Sequence, residues 1–519
     1  MTGLASVTTM ALVGLDGHPI AVQAHIGSGL VNLIIVGLPD LSVRESKDRV
    51  RAALQSCGLD LPHRRVTVNL SPAGLPKGGS GFDLAIALAV LAANGQLEAD
   101  RLAGIAVLAE LGVDGALHSV PGVLPAMLSA REAGLRAVLV SESAATEARL
   151  VPGIDVVAFS HLADVVLWAG SAAPVTRPAL ISREPVRARR RGARLDSRAD
   201  LSDVRGQDTA KGALQVAAAG RHHIMLTGSP GAGKTMLAAR LPGILPDLSD
   251  QEAVQVTALH SVAGQLDASR GLLRRPQFQA PHHTATTASI VGGGGSRLLR
   301  PGAASLAHAG VLFLDEAPEF RTGVLDALRQ PLEEGRVLVH RARAQVEFPA
   351  RFQLVLACNP CPCGSPKTAR TQCRCTSIQR RRYRSRLSGP LMDRIDITVE
   401  MTAPTRAELA GVDSDRTGDT ATARGHVDEA RRRAAHRLRG TPWRVNADVP
   451  GRFIRQHGLV APRIVRHLEG YVAKGTLTMR GLDRVLRMAL TVADLDGSGT
   501  VGHEHVKTAQ TLRTGAFNG

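Results

Sequence analysis

The sequence predicts an α/β protein: a largely parallel sheet, preceded by an α+β domain and followed by a helical one. Three observations carry this. Between residues 201 and about 402, apolar runs of strand length alternate with helix-like segments, the pattern of a parallel sheet with helical crossovers. Over residues 1–172, strand-like and helix-like runs occur in a less regular order. From about residue 403 the period is helical. A length of 519 residues suggests two to four domains. Hydrophobic residues make up 44% of the chain, enough for several cores, which excludes global disorder.

In the first part, AVQAHI (21–26), VNLIIVGL (31–38) and RVTVNL (65–70) read as strands. SVRESKDRVRAALQSCG (42–58) and FDLAIALAVLAANG (82–95) read as helices. Residues 111–140 give a hairpin-like piece, a helix and a strand. Residues 173–200 carry Pro, Ser and many arginines without an apolar period, and read as an exposed linker. Its Arg187, Arg189, Arg190, Arg191 and Arg194 suit nucleic-acid phosphates or plain solvation equally. Downstream, HHIMLTG (222–228), GVLFLDE (310–316), RFQLVLACN (351–359) and RIDITVE (394–400) read as core strands. In the segment 403–519, TMRGLDRVLRMALTVADL (478–495) puts Met479, Leu482, Val485, Leu486, Ala489 and Leu490 on one stripe, with Arg480, Arg484 and Arg487 on the other side.

Lysine and arginine total 63 against 46 acidic residues, a formal charge of +17. That balance favours a polyanionic partner such as nucleic acid, the alternative being a generally basic surface. The N-terminus has no basic n-region or long apolar core, and no run of about 18 apolar residues occurs. Neither a signal peptide nor a membrane span is expected, and the cytoplasm is the expected location. Six cysteines in a chain this long do not make a secreted disulfide scaffold.

Residues 228–235, Gly228, Ser229, Pro230, Gly231, Ala232, Gly233, Lys234 and Thr235, satisfy G-x-x-x-x-G-K-[ST] between a strand-like run and a helix-like one. Glycines let backbone N–H groups curl around phosphates, and a helix N-terminus adds positive potential. Lys234 then reaches the β/γ-phosphates and Thr235 holds Mg²⁺. The strand Val311–Leu314 runs into Asp315 and Glu316. Asp315 suits the Mg²⁺ shell and Glu316 suits polarising the attacking water. ATP and Mg²⁺ are the expected cofactors.

DLSDVRGQ (200–207), APHHT (280–284), VGGG (291–294) and the segment 305–337 around the Asp–Glu pair resemble the magnesium-chelatase-like AAA+ ATPases, within them most the ComM/YifB group. CNPCPCG (358–364), CRC (373–375) and YRSRLSGPLMDRIDI (383–397) strengthen the match, which spans essentially the whole chain. The resemblance implies a P-loop AAA+ domain over 201–402 and a C-terminal helical lid over 403–519. It implies three further roles. Asn359 matches the sensor that orients water at the γ-phosphate, Arg394 the arginine finger that reaches a neighbour's ATP, and Arg480 the second sensor on the lid. A surface ion pair is the plain alternative for either arginine. A finger acting in trans implies a ring, usually a hexamer.

Cys361 and Cys363 form one C-x-C pair, and Cys373 and Cys375 another. Four thiolates suit tetrahedral Zn²⁺, although the tight pairs depart from the usual C-x₂₋₄-C spacing; free thiols are the alternative. Cys358 reads as a buried strand residue and Cys57 as a helix-end core residue. The run Arg380, Arg381, Arg382, Tyr383, Arg384 suits either a nucleic-acid contact or a solvated loop.

Residues 1–172 resemble the Lon-protease-like domain, with PKGGSG (76–81) where that family has its serine, here Ser80. The position matching the family's lysine is Leu124, which cannot take a hydroxyl proton. A non-proteolytic scaffold or DNA-binding surface is therefore expected. Lys77 reads as an exposed lysine, with phosphate contact as the alternative. DLDGSG (494–499) imitates an EF-hand start, but position 12 is His505 rather than the bidentate Glu of calcium loops.

The ComM resemblance implies a hexameric ATP-dependent DNA helicase or branch-migration factor in homologous recombination or DNA uptake. GRVLVHRARAQVEF (335–348) reads as a hairpin with His340, Arg341 and Arg343 near its tip, a pore contact for single-stranded or branched DNA or a charged edge hairpin. Two alternatives stand beside it: the ATPase subunit of a magnesium–porphyrin chelatase, and a regulatory AAA+ chaperone acting on proteins.

Overall fold

The computed structural model describes residues 3–38, 40–171, 174–178, 200–293, 299–341, 344–364, 373–403 and 418–515. The five linker arginines, Gly294 and Arg343 lie outside these residues, as do the side chains of His340 and Arg341.

The first nine strands are β1 (Gly3–Val13), β2 (Asp16–Gly27), β3 (Asn32–Val36), β4 (Arg65–Ser71), β5 (Ile105–Leu108), β6 (Glu110–Leu111), β7 (Leu117–His118), β8 (Ala137–Ser141) and β9 (Asp155–Phe159). Seven of them form one mixed sheet in the order β3-β4-β2-β1-β5-β8-β9, while β6 and β7 form a separate small hairpin. Burial alternates along β4, as a sheet with one covered face requires. The covering helix is Asp83–Ala93, in which every residue but Ala92 is buried. Its sequence is apolar all round because both its sides are covered. Its one acid, Asp83, is fully buried and is held by Arg49 at 2.7 Å and by Ser46. The 11-residue β1 was not foreseen in the sequence: its small and polar residues alternate weakly.

The second sheet is entirely parallel. Its strands are β10 (Ile224–Gly228), β11 (Phe278–Gln279), β14 (Val311–Leu314), β17 (Gln353–Cys358) and β18 (Ile397–Met401), in the order β11-β14-β17-β10-β18. Two small ribbons flank it: β12 (Gly292–Gly293) with β13 (Arg300–Pro301), and β15 (Arg336–Arg341) with β16 (Ala344–Pro349). The four expected core strands are present; the two-residue β11 is too short to leave a periodic signal. All of β14 and β17 is buried, which explains their unbroken apolar runs.

Helices Thr420–Arg437, Gly451–Gln456, Pro462–Ala473, Met479–Leu495 and His503–Thr514 make up the C-terminal part. In Met479–Leu495 the expected stripe is buried at Leu482, Val485, Leu486, Ala489 and Leu490, but Met479 is 49% exposed. Met479 is the first residue of the helix. Two of the arginines on the other side are tied down. Arg484 donates to the Ile395 carbonyl at 2.7 Å and Arg487 to the Val449 carbonyl at 2.6 Å, so both are half-buried ties to neighbouring segments. Asp494 is buried inside this helix and takes two 2.6 Å bonds from Arg437, which removes it from any calcium loop.

The helix Asp250–Val262, started by a Ser249/Glu252 capping box, joins the two sheets' cores. Ala258 packs with Met10, Leu124 and Met127 of the N-terminal part. Leu259 packs with the hairpin residues Val346 and Phe348 and with Val13 and Leu15. The register Arg336↔Pro349 to Arg341↔Ala344 agrees with the predicted hairpin, whose stem is anchored at Val346 and Phe348.

Candidate nucleotide site

The loop 228–235 leaves the end of β10, which lies between β17 and the edge strand β18, on the side of the parallel sheet where its strand ends open a crevice. Gly231 and Gly233 have φ of +80° and +87°, which a side chain would strain. Lys234 is only 8% exposed. Its ammonium donates to the Gly228 carbonyl at 2.7 Å, the Ser229 carbonyl at 2.9 Å and Asn359 Oδ1 at 3.1 Å. Burial lowers its pKa from the ordinary lysine value, and the charges of Asp315 and Glu316 oppose that shift. Thr235 Oγ1 donates to Asp315 Oδ2 at 2.7 Å. A hydroxyl and a carboxylate in contact at the mouth of a phosphate loop are the two protein ligands a Mg²⁺–nucleotide needs. Pro230, Gly231, Gly233, Lys234, Thr235, Asp315, Glu316 and Asn359 line one cavity of about 400 Å³.

Glu316 follows Asp315 in the left-handed region at φ +50°, ψ 44°. For a residue with a long side chain this costs about 1–2 kcal/mol, strain of the kind that concentrates at working sites. Its carboxylate lies 3.3 Å from His283 Nδ1. His283 had no assigned role in the sequence, although it sits in the quoted APHHT segment; no spacing rule links it to Glu316 33 positions later.

Arg394 and Arg480 are not at this cleft. They line a separate cavity of about 640 Å³ between the sheet's far end and the helical part. Arg394 donates to Glu333 and to the Pro390 carbonyl, while its buried Nε has no partner among the described residues. Burial, then the charges of Arg329 and Arg480, lowers its guanidinium below the ordinary value. Arg480 pairs with Asp393 at 3.7 Å with its side chain 78% exposed. The lid arginine therefore stands with the finger candidate, away from its own chain's phosphate loop.

The four cysteines do converge. Cys361 Sγ is 3.2 Å from Cys363 and 3.5 Å from Cys373, and one sulfur from each of the four lies within 4.8 Å of the others. These separations exceed a disulfide's ~2.05 Å and approach the ~3.8 Å edge of a tetrahedron with ~2.3 Å zinc–sulfur bonds. Burial and the adjacent sulfurs push the Cys361 thiol up to about 12, a penalty that a divalent cation would reverse. The donor set fits Zn²⁺. Cys358 and Cys57 are buried as expected, with thiols raised to about 11 by burial. Tyr383 was expected in an exposed basic run. Instead it is 4% exposed and faces the nucleotide side, because the helix Ser377–Arg384 turns its one aromatic inward.

The N-terminal residues singled out in the sequence are engaged within their own part of the fold. Ser80 donates to Glu110. Lys77, expected exposed, is 1% exposed and donates to the Pro72 carbonyl. Leu124 is fully buried in the helix Val123–Glu132.

A phosphate loop on the first strand of a five-stranded parallel sheet, facing an Asp–Glu pair and an asparagine on neighbouring strands, defines an AAA+-type ATPase core. Profiles described as "Magnesium chelatase, subunit ChlI", "Subunit ChlI of Mg-chelatase" and "Magnesium chelatase, subunit ChlI C-terminal" match residues 200–409, 22–144 and 417–513. An uncharacterized protein of Mycobacterium tuberculosis is 45% identical over 515 residues, 99% of each chain. YifB of Escherichia coli is 39% identical over 515 residues, 98% of this chain and 97% of its own. The competence protein ComM of Haemophilus influenzae is 38% identical over 510 residues, again 98% and 97%. The chain belongs to the ComM/YifB family of magnesium-chelatase-like proteins. No helix among the described residues is long and apolar enough to cross a membrane.

Proposed function

We propose that this protein is an ATP-driven DNA motor, a ring-forming helicase or branch-migration factor serving recombination or DNA uptake. The observation that carries the ATPase half is the meeting of Lys234, Thr235, Asp315, Glu316 and Asn359 in one cleft. Lys234 and the loop N–H groups bind the phosphates of ATP, and Thr235 and Asp315 hold Mg²⁺. Bound Mg²⁺ would supply charge neutralisation at the β/γ-phosphates. Glu316 accepts a proton from water, Asn359 orients that water, and His283 holds the Glu316 carboxylate in place.

Arg394 and Arg480 serve a neighbouring subunit's ATP. Their distance from the chain's own loop, the unpartnered Arg394 Nε and the mutual repulsion of the pair all favour an anion arriving from outside the chain. A ring follows from that, a hexamer being the expected size. The DNA half rests on the +17 charge and on full-length similarity to a competence protein. The N-terminal part is read as a Lon-protease-like scaffold without proteolysis, and the four cysteines as a structural Zn²⁺ site. The domain limits are those expected from the sequence, 1–172, 201–402 and 403–519 around the 173–200 linker.

The test is the hairpin. Replacing Arg341 and Arg343 with alanine should leave basal ATP hydrolysis intact, lower its stimulation by branched DNA, and flatten the salt dependence of DNA binding as fewer counterions are released. A double variant that moves junctions as fast as wild type removes the hairpin's role. The family descriptions favour a second reading, the ATPase of a magnesium chelatase. ATPase stimulation by a porphyrin-binding partner, with indifference to DNA, would establish it instead.

A further inference from the structure

The cysteine cluster is attached to the nucleotide cleft at three points. Asn359, Pro360 and Cys361 are consecutive, so the first C-x-C pair continues directly from the residue that accepts from Lys234. The turn closing that pair, Gly364 N–H to the Cys361 carbonyl at 3.0 Å, brings Gly364 against the phosphate loop. Gly364 has φ +69°, and a Cβ there would lie 2.7 Å from Pro230 Cγ, so only glycine allows this approach. The second pair leads, through a Thr376/Gln379 capping box, into the helix Ser377–Arg384. That helix buries Tyr383 beside the sensor, within reach of the Asn359 backbone. Tyr383, Asn359, Cys358, Thr227 and Gly228 share a cavity of about 320 Å³ behind the phosphate loop. Just beyond, Arg386 donates to the Pro318 carbonyl at 3.1 Å and pairs with Glu319 at 2.9 Å, in the turn after Glu316.

The cluster thus joins two arms. One carries Asn359 and touches Pro230; the other carries Tyr383 and Arg386. The four sulfurs are the described groups that close the loop between the arms, and four thiolates around a Zn²⁺-class ion would lock both onto Asn359.

We propose that the metal-filled cysteine cluster is a clamp that positions Asn359, through the Cys361 arm and Tyr383, so that ATP hydrolysis requires the metal while ATP binding does not. The proposal rests on the cleft being a site of ATP hydrolysis. Tyr383 is a positioning residue in it, since it touches the sensor's backbone rather than the nucleotide. Lys234 is also held by the Gly228 and Ser229 carbonyls of its own loop, outside the clamp, so most of the affinity should survive its opening.

The experiment compares the full-length wild type, Cys361→Ser with Cys373→Ser, and Tyr383→Phe. Zinc per chain is measured by elemental analysis, affinity by titration with a fluorescent ATP analogue, and steady-state hydrolysis gives kcat and KM. The double serine variant should lose its zinc, keep analogue affinity within about threefold, and drop in kcat about tenfold or more, the signature of an interaction lost after binding. Tyr383→Phe should retain zinc and affinity and fall severalfold in kcat alone; it guards against a double variant that does not fold. Unchanged kcat in a zinc-free double variant, or in Tyr383→Phe, overturns the clamp. So does a Tyr383→Phe loss confined to KM. A wild type that binds the analogue but never hydrolyses ATP would instead overturn the ATPase reading itself.

Discussion

Two glycine-rich loops in this chain carry a lysine, and they ended differently. In PKGGSG (76–81) the lysine is sealed: Lys77 is 1% exposed and spends its ammonium on the Pro72 carbonyl. In GSPGAGKT (228–235) Lys234 is nearly as buried and also rests on backbone carbonyls, yet it lines an open cleft facing Asp315 and Asn359. Burial lowers both ammonium pKa values, so desolvation does not separate the two.

 For Lys77 burial is the whole cause of the shift, whereas for Lys234 the charges of Asp315 and Glu316 oppose it. What separates the loops is where the strand beside each one ends. The parallel sheet delivers an acid pair and an asparagine to the loop's open side, while the mixed sheet delivers Glu110, which is taken up by Ser80.

The largest effects should fall on the open loop. Lys234→Ala should weaken ATP binding by about a hundredfold or more, and Glu316→Gln should bind ATP but hydrolyse it about 10²-fold or more slowly, since it removes the proton acceptor. Both are read by nucleotide titration and phosphate release. A Gln variant at the wild-type rate would erase the proposed difference between the loops. The sealed loop should give the opposite result: Ser80→Ala leaves ATP hydrolysis unchanged, and wild-type protein cleaves no casein with or without ATP. Casein cleavage that Ser80→Ala abolishes would show that the N-terminal loop has chemistry of its own.

A smaller effect lies between the two regions. His308 is buried, its Nδ1 accepts from the Arg351 N–H at 3.1 Å, and burial lowers its pKa from 6.5 to about 4. A group whose folded pKa is depressed binds its proton more readily when unfolded. His308 therefore contributes no pH dependence above about 6.5 and destabilises the fold as pH falls from there toward about 4. The thermal midpoint should drop over that window, and His308→Gln should make the drop shallower. An equal drop in the variant would assign the effect to other groups.

Much of the nucleotide site was legible because its parts are local. The phosphate loop and the Asp315–Glu316 pair each sit at the end of an apolar strand, and each announces itself over a few residues. The parts assembled across the fold were not legible. His283 meets Glu316, and Tyr383 meets Asn359, only after the parallel sheet has set its strand order. Lys77 and Met479 were misread for one reason: a residue's type gives its average exposure, and here the packing of its neighbours decided it. The four core strands of the second sheet were visible as unbroken apolar runs, whereas β1, half-covered and rich in small residues, carried too little contrast to be recognised.

The central claim is that the cleft around Lys234 hydrolyses ATP to do work on DNA. Its most direct test is the steady-state ATPase rate of the purified wild-type protein without DNA, with single-stranded DNA and with a branched junction, each beside Glu316→Gln. The account predicts a basal rate that rises severalfold with DNA and is nearly abolished in the variant under all three conditions. A wild-type rate indifferent to every DNA form would contradict it.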